Sequence, residues 1–270
     1  MTLTVHPNLI QGSDDWLDQR RGMVTASQVG QLLTVRKLGA AEFACPSCGT
    51  GPFDPCVSKR DSSPIKTMHP ERVEAARAAD ESVIEPAVSD YSRNLTLLLA
   101  SERITGWTEP TYVSDDMLRG IDDEPRARDK YGTCYSPVAE VGLMVEDSWG
   151  FQIGYSPDGL VGDDGLIEVK SRRPKTHLAT ILADEVPDAN MAQLQCGLLV
   201  SGRKWIDYVD WCGGMPMYVK RVYPQQDWFD AIVAAVDQFE QTVTEMIARY
   251  SRTTADMHST ERHIELEMVI

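Results

Sequence analysis

The stretch that decides the fold is Gly154-Tyr155-Ser156-Pro157-Asp158-Gly159-Leu160, followed after a turn by Glu168-Val169-Lys170. Phe151 to Tyr155 reads as a strand that ends just before Asp158. Gly162-Asp163-Asp164-Gly165 is a turn that closes a hairpin into a second strand, Leu166 to Lys170. Side chains at i and i+2 of a strand share a face, so Glu168 and Lys170 point the same way. The hairpin can bring Asp158 beside them, which gathers two carboxylates and an ammonium at one sheet edge. Carboxylate oxygens together with a backbone carbonyl, such as that of Val169, suit a hard cation like Mg²⁺. Such a cation polarises a phosphodiester oxygen and lowers the pKa of water. Lys170 can hold that water or offset charge on the phosphorus. Stripped of context, the same residues are a surface hairpin with a Glu–Lys pair worth little.

Outward from this hairpin, Val138 to Val145 reads as one further strand, and Lys204 to Trp211 and Met217 to Tyr223 as two more. Ala189 to Val200 is helical. Asp227 to Tyr250 is a long helix with Trp228, Ile232, Val236, Phe239, Val243 and Ile247 recurring at three to four residues. Upstream, Glu71 to Ala79, Tyr91 to Glu102 and Met117 to Tyr131 are helical. Asp14 to Leu33 reads as a capped helical entry, with Thr25-Ala26-Ser27 as the cap signal and its amides suited to a phosphate. Helices, a hairpin-rich sheet, then helix, strands and helix make a mixed α/β domain. The last twenty residues are polar and weakly patterned.

The chain has 270 residues, of which 42% are hydrophobic, enough for a sizeable core. No apolar run approaches the roughly 20 residues of a membrane span. The N-terminus MTLTVHPNLI has neither the basic nor the apolar region of a secretion signal, so a cytoplasmic protein with no membrane partner is expected. The net charge of −15 argues against a general polyanion-binding surface.

Between Ala44 and about Pro70 the apolar periodicity disappears. Three of the six cysteines, Cys45, Cys48 and Cys56, crowd into this stretch. Cys45-Pro46-Ser47-Cys48-Gly49 is a knuckle whose spacing lets two thiolates hold one ion. Cys56 and a histidine complete a Cys₃His set, the composition of structural zinc. His69 is the nearest histidine, with His6 and His177 as alternatives that spacing does not exclude. A redox CxxC would need a thioredoxin-like context that is missing here. Such a segment has little core, so its folding energy would come from the metal.

The set Ser156-Pro157-Asp158-Gly159 with Glu168-Val169-Lys170 resembles the PD-(D/E)xK nuclease motif, and more narrowly the phage lambda exonuclease or YqaJ-type viral recombinase family. Three further segments resemble that family in the same order: Trp16, Arg20, Gly22 and Thr25-Ala26-Ser27; Gly120, Glu124, Ala127 and Arg128; and Met191-Ala192-Gln193. The resemblance covers about residues 10–35 and 115–245. It implies an α/β restriction-endonuclease-like core, a mixed central sheet flanked by helices. It implies Asp158, Glu168, Lys170, Glu124 and Gln193 as catalytic residues. Asp158, Glu168, Glu124 and the Val169 carbonyl would hold Mg²⁺ or Mn²⁺. Arg20, Ser27 and Ser156 would hold the 5′-phosphate of a DNA end. The family's arginine six residues beyond the lysine is Thr176 here, with Arg172, Arg173 and Lys175 nearby.

The zinc segment departs from that family and resembles short zinc-binding modules of phage and actinobacterial proteins. The expected organisation is 1–36 as the N-terminal part of the nuclease domain, 37–85 as the zinc insert, 86–250 as the nuclease core and 251–270 as a tail. Lys59, Arg60, Lys66 and Arg72 would let the insert engage DNA; a structural or partner-docking role is the alternative. The resemblance implies 5′→3′ digestion of duplex DNA ends to leave 3′ single strands, a single-strand annealing protein as partner, and a ring-shaped homotrimer. The rivals are an endonuclease or Cas4-like enzyme on the same core, and a zinc-dependent DNA-binding scaffold with an inactive core.

Overall fold

The structure, a computed structural model, describes residues 2–110 and 112–262. The polar tail read from residue 251 therefore falls partly outside the described residues, at 263–270. The core is a five-stranded sheet made of β5 (Val138–Ala139), β8 (Gly159–Val161), β9 (Gly165–Ser171), β10 (Trp205–Trp211) and β11 (Tyr218–Val222), in the order β11-β10-β9-β8-β5. The hairpin expected into Leu166–Lys170 forms, with Gly159 opposite Ile167, but its first arm is the short β8 and not the strand read over Phe151–Tyr155, which pairs in the other sheet. β10 runs parallel to β9 and antiparallel to β11, so the sheet is mixed.

Alternation along β9 sorts its side chains onto two sides. Leu166 enters the main core, whose members include Leu194, Leu198, Ile232, Val236 and Phe239. Those residues come from α7 (Asp188–Ser201) and α8 (Gln226–Thr253). Ile167 and Val169 face the other way and pack with Ala127 and Tyr131 of α5 (Asp115–Cys134). Glu168 and Lys170 therefore share the α7 side with Leu166, while Ser171 turns to α5, where its hydroxyl donates to Asp123 (2.7 Å). Glu168 is 2% exposed, so this strand buries a carboxylate in a row of aliphatic residues.

A second sheet, in the order β1-β6-β7-β2, joins Thr4–His6, Leu143–Glu146, Ile153–Tyr155 and Val24–Thr25. The single strand expected over Val138 to Val145 is thus two strands in two sheets. Gly142 stands between them, where a Cβ would lie 2.1 Å from the Leu9 carbonyl oxygen. The close passage of the N-terminal segment there turns the chain from one sheet into the other.

The helical entry expected over Asp14 to Leu33 is likewise broken. α1 (Asp14–Arg20) is capped by Ser13, whose hydroxyl accepts from the Trp16 amide (3.3 Å). The chain then pairs Val24 and Thr25 with β7 before a single turn, α2 (Ala26–Val29), and a 3-10 turn, Gly30–Leu32. Thr25 occupies the N-cap position of α2 without capping it; its hydroxyl is engaged by other side chains. Sheet pairing won over helical continuity at this point.

β3 (Leu33–Lys37) and β4 (Ser82–Pro86) form an antiparallel ribbon, and the cysteine-rich segment and α3 (Pro70–Ala79) lie between them in sequence. α4 (Asp90–Thr105) adds Leu95, Leu99 and Ala100 to the main core, and α6 (Pro174–Ala183) follows β9. Among the described residues, no helix is long and apolar enough to cross a membrane.

Candidate active site

A cleft of about 730 Å³ opens between α5, α1, the start of α2 and the ends of β7 and β9. Asp158, Glu168, Val169, Lys170, Glu124 and Gln193 line it, as do Arg20, Ser27 and Ser156. Residues from five separate stretches of sequence therefore meet in one cavity. All five belong to the segments singled out in the sequence.

The acidic end is a network. Glu168 Oε1 accepts from Lys170 Nζ (2.7 Å) and from Gln193 Nε2 (2.5 Å). Its Oε2 accepts from the Tyr155 hydroxyl (3.3 Å). Asp158 Oδ2 accepts from the Val169 amide (2.6 Å), which ties the loop after β7 to β9. Glu124 pairs with Arg128 (2.5 Å) one helical turn away. The Arg128 Nε donates in turn to the Asp158 carbonyl (2.7 Å). Burial, then the charges of Glu168 and Glu124, raise the Asp158 carboxyl well above the ordinary range. Burial raises Glu124 too, with Arg128 opposing and Glu168 adding. Burial pulls on Lys170 in the opposite sense, yet the charges of Glu168 and Asp158 outweigh it and keep the ammonium charged. Three carboxylates gathered in a half-buried cleft suit a divalent cation, which would offset the repulsion that Glu168 and Glu124 exert on Asp158.

The other end carries hydroxyls and one guanidinium. Trp16 Nε1 donates to Ser156 Oγ (2.9 Å), and the Arg20 guanidinium lies 4.1 Å from the Trp16 ring centroid. Arg20 donates to Thr25 Oγ1 (3.0 Å), which lies 3.2 Å from Ser27 Oγ. Burial lowers the Arg20 pKa, against the raising charge of Glu102. A partly desolvated cation beside two hydroxyls is an arrangement that can hold a phosphate.

Sequence reasoning assigned no site role to Tyr155, Arg128 or Trp16, and gave Thr25 only a part in a helix cap. Trp16 and Arg128 stood in the quoted motifs, which was their signal. Tyr155 stood in the quoted stretch too, but its place against Glu168 depends on the packing of α7. A Cβ at Gly197 would sit 2.8 Å from the Tyr155 ring, so only glycine lets the ring lie under the helix. Of the cations near Thr176, Arg172 donates to Asn190 Oδ1 (2.8 Å), whereas Arg173 pairs with Asp116 (2.9 Å) on the cleft wall.

The ligand atoms of Cys45, Cys48, Cys56 and His69 all lie within 4.8 Å of one another. Three thiols and an imidazole at that spacing fit a tetrahedral structural zinc. The alternative ligand His177 is buried elsewhere, 2.5 Å from Asp210, and so is no part of the set. Hydrogen bonds from Thr50 and from the Val57 and Thr50 backbone bring the Cys48 thiol down to about 5, toward the thiolate that a metal requires. One expectation fails: Arg72 cannot meet DNA as Lys59, Arg60 and Lys66 can. Those three are exposed, but Arg72 is 1% exposed and faces inward.

The sequence matches two families. Residues 66–204 match the YqaJ-like viral recombinase domain, and residues 12–87 match a putative DNA-binding phage zinc finger domain. Among curated proteins nothing matches. Among solved structures, the chain is similar to an alkaline exonuclease, LHK-Exo, from Laribacter hongkongensis. Identity is 25%, the match covers 91% of this chain and 100% of that one, and the TM-score is 0.64. LHK-Exo in complex with dAMP matches over the same shares at 24% identity and a TM-score of 0.66. A phage related exonuclease from Haemophilus somnus 129PT matches at 13% identity over 85% of this chain and 96% of that one, with a TM-score of 0.52, a likeness of fold. The recombinase match spans more than half of the chain and contains the cleft's Glu124, Asp158, Glu168, Lys170 and Gln193, and on it the chain belongs to the YqaJ-like viral recombinase family.

Proposed function

We propose that the protein is a metal-dependent exonuclease that digests one strand of duplex DNA from its 5′ end and leaves 3′ single strands. One observation carries the reading: a carboxylate–lysine–glutamine cluster and an arginine–hydroxyl cluster share one cleft. The similarity to an alkaline exonuclease, and that enzyme's complex with dAMP, support it.

In this reading Asp158, Glu168, Glu124 and the Val169 carbonyl hold Mg²⁺ or Mn²⁺. When bound, the cation polarises the scissile phosphate and eases deprotonation of the attacking water. Lys170, charged and fixed against Glu168, positions that water and offsets charge building on the phosphate oxygens. Gln193 and Tyr155 hold the Glu168 carboxylate in place from two sides. Arg20, Ser27 and Ser156 bind the terminal 5′-phosphate, and Trp16 orients Ser156. Arg172, Arg173 and Lys175 are the candidates for the contact that Thr176 cannot make, and Arg173 already reaches Asp116 on the cleft wall. Residues 1–36 and 86–250 act as the nuclease, 37–85 as the zinc-bearing insert and 251–270 as a tail. A single-strand annealing protein as partner and a homotrimeric ring belong to the same proposal, supported by the family resemblance.

The test uses end-labelled linear duplex and covalently closed circles with Mg²⁺, with and without Lys170→Ala. Linear DNA is expected to lose nucleotides from its 5′ end while circles survive. The variant is expected to lose about 10²–10³-fold in rate. Cutting of circles, or full activity in the variant, would sink the proposal.

A further inference from the structure

The zinc module contains a buried cation that neither the nuclease reading nor the ligand set explains. Arg72 sits one turn into α3, three residues beyond His69. Its guanidinium spends every N–H inside the module. Nε donates to the carbonyls of Ala40 and Phe43, both at 2.9 Å. Nη2 donates to the carbonyls of Ala41 (2.9 Å) and Gly51 (3.0 Å). Nη1 donates to the Asp54 carbonyl (2.7 Å) and toward Cys56 Sγ (3.6 Å). These partners include the chain just before Cys45, the loop after Cys48, and the ligand Cys56 itself. A guanidinium has five N–H donors, and here all five are engaged without help from a carboxylate.

A buried charge needs a countercharge nearby. Three thiolates and a neutral imidazole around Zn²⁺ carry a net charge of −1, and one of those thiolates is the sulfur that Nη1 approaches. We propose that Arg72 is a positioning residue of the zinc site. It fixes the two loops that carry Cys45, Cys48 and Cys56, and it balances the surplus thiolate charge of the Cys₃His centre. The pair is mutual: the metal–thiolate group makes the buried guanidinium tolerable, and the guanidinium strengthens metal retention. This role is independent of the nuclease reading.

Zinc affinity of the full-length protein, measured by competition with a chromophoric chelator, tests the role. Partners that orient metal ligands typically contribute about 10–100-fold in metal affinity. Arg72→Met, which keeps much of the bulk and loses charge and donors, is expected to weaken zinc binding by that factor. Arg72→Lys keeps the charge and loses the fork, so it is expected to fall between Met and the wild type. Cobalt(II) substitution reads the geometry: a distorted visible spectrum is expected in both variants. Wild-type zinc affinity in the Met variant overturns the proposal. So does a Lys variant no tighter than the Met variant, because charge would then play no part. Should the Met variant fail to fold, the Lys variant decides, and wild-type affinity with an unaltered cobalt spectrum refutes the forked role.

Discussion

Replacing Asp158 by Asn is expected to stabilise the protein in the absence of added divalent cation while abolishing cleavage. The cleft gathers Asp158, Glu168 and Glu124 against Lys170 and Arg128. Three carboxylates facing two cations leave a surplus negative charge in a half-buried place. Asn keeps the acceptor that the Val169 amide uses and removes that surplus. Relief of strain of this kind typically yields about 0.5–2 kcal/mol. For a chain of this size, 1 kcal/mol moves Tm by about 2–4 °C. The sign with pH follows from the raised Asp158 carboxyl. An acid whose folded pKa lies above its unfolded value adds no penalty below that unfolded value, ordinarily 3.8, and destabilises the fold increasingly as pH climbs toward the folded value. The gap between Asp158→Asn and wild type should therefore be small in acid and open as pH rises. Added Mn²⁺ should reverse the order. A cation at 100 times its Kd stabilises the wild type by about 2.7 kcal/mol and does little for the variant. Thermal melts with the zinc site loaded, across pH and with and without Mn²⁺, read all of this. A wild type more stable than the variant without Mn²⁺, or a wild type indifferent to Mn²⁺, refutes the reasoning.

Tyr155→Phe keeps the ring that fits beneath Gly197 and removes the hydroxyl held by Glu168. Steady-state digestion of linear duplex is expected to slow about tenfold, with the melting temperature nearly unchanged. Trp16→Phe keeps a ring beneath Arg20 and removes the donor to Ser156. One neutral hydrogen bond is worth about 1 kcal/mol. Preference for 5′-phosphorylated over 5′-hydroxyl ends should therefore narrow about fivefold, measured as a ratio of initial rates.

The turn and the second arm of the hairpin were legible because their signal is local, whereas the three-residue first arm, Gly159–Val161, was too short to stand out. Period two along Leu166–Lys170 places Glu168 and Lys170 on one side, and the structure uses the two sides of β9 in that manner. The Cys₃His set was legible for a similar reason, since knuckle spacing is a short-range property and the nearest histidine supplies the fourth atom. The misread elements failed for a common physical cause. Val138 to Val145 has the apolar content of one strand, but the passage of Leu9 against Gly142 divides it. Asp14 to Leu33 has the caps of a helix, but pairing of Val24 and Thr25 with β7 interrupts it. Arg72 misled for the same reason. A lysine or arginine in a polar segment reads as a solvated charge, and nothing local reveals that five carbonyls and a thiol converge on it.

The net charge of −15 also takes on meaning at the cleft. A chain with a net negative charge gains little from non-specific contact with the DNA backbone. Arg20 and Lys170 stand inside the cleft, and Arg119 and Arg173 both reach Asp116 at its wall. On the proposed reading these side chains, with a divalent ion held among the carboxylates, would meet a strand end as it enters. Favourable contact at the cleft and a net negative charge over the chain as a whole would then favour termini over internal sites without any contact to a base. On the proposed reading, end selectivity is therefore a property of the whole charge distribution as well as of the phosphate ligands. The cysteine-bearing module adds exposed cations outside the cleft. It is tied to the rest of the chain by the β3–β4 ribbon, and its Lys59, Arg60 and Lys66 are exposed while Arg72 is buried inside it.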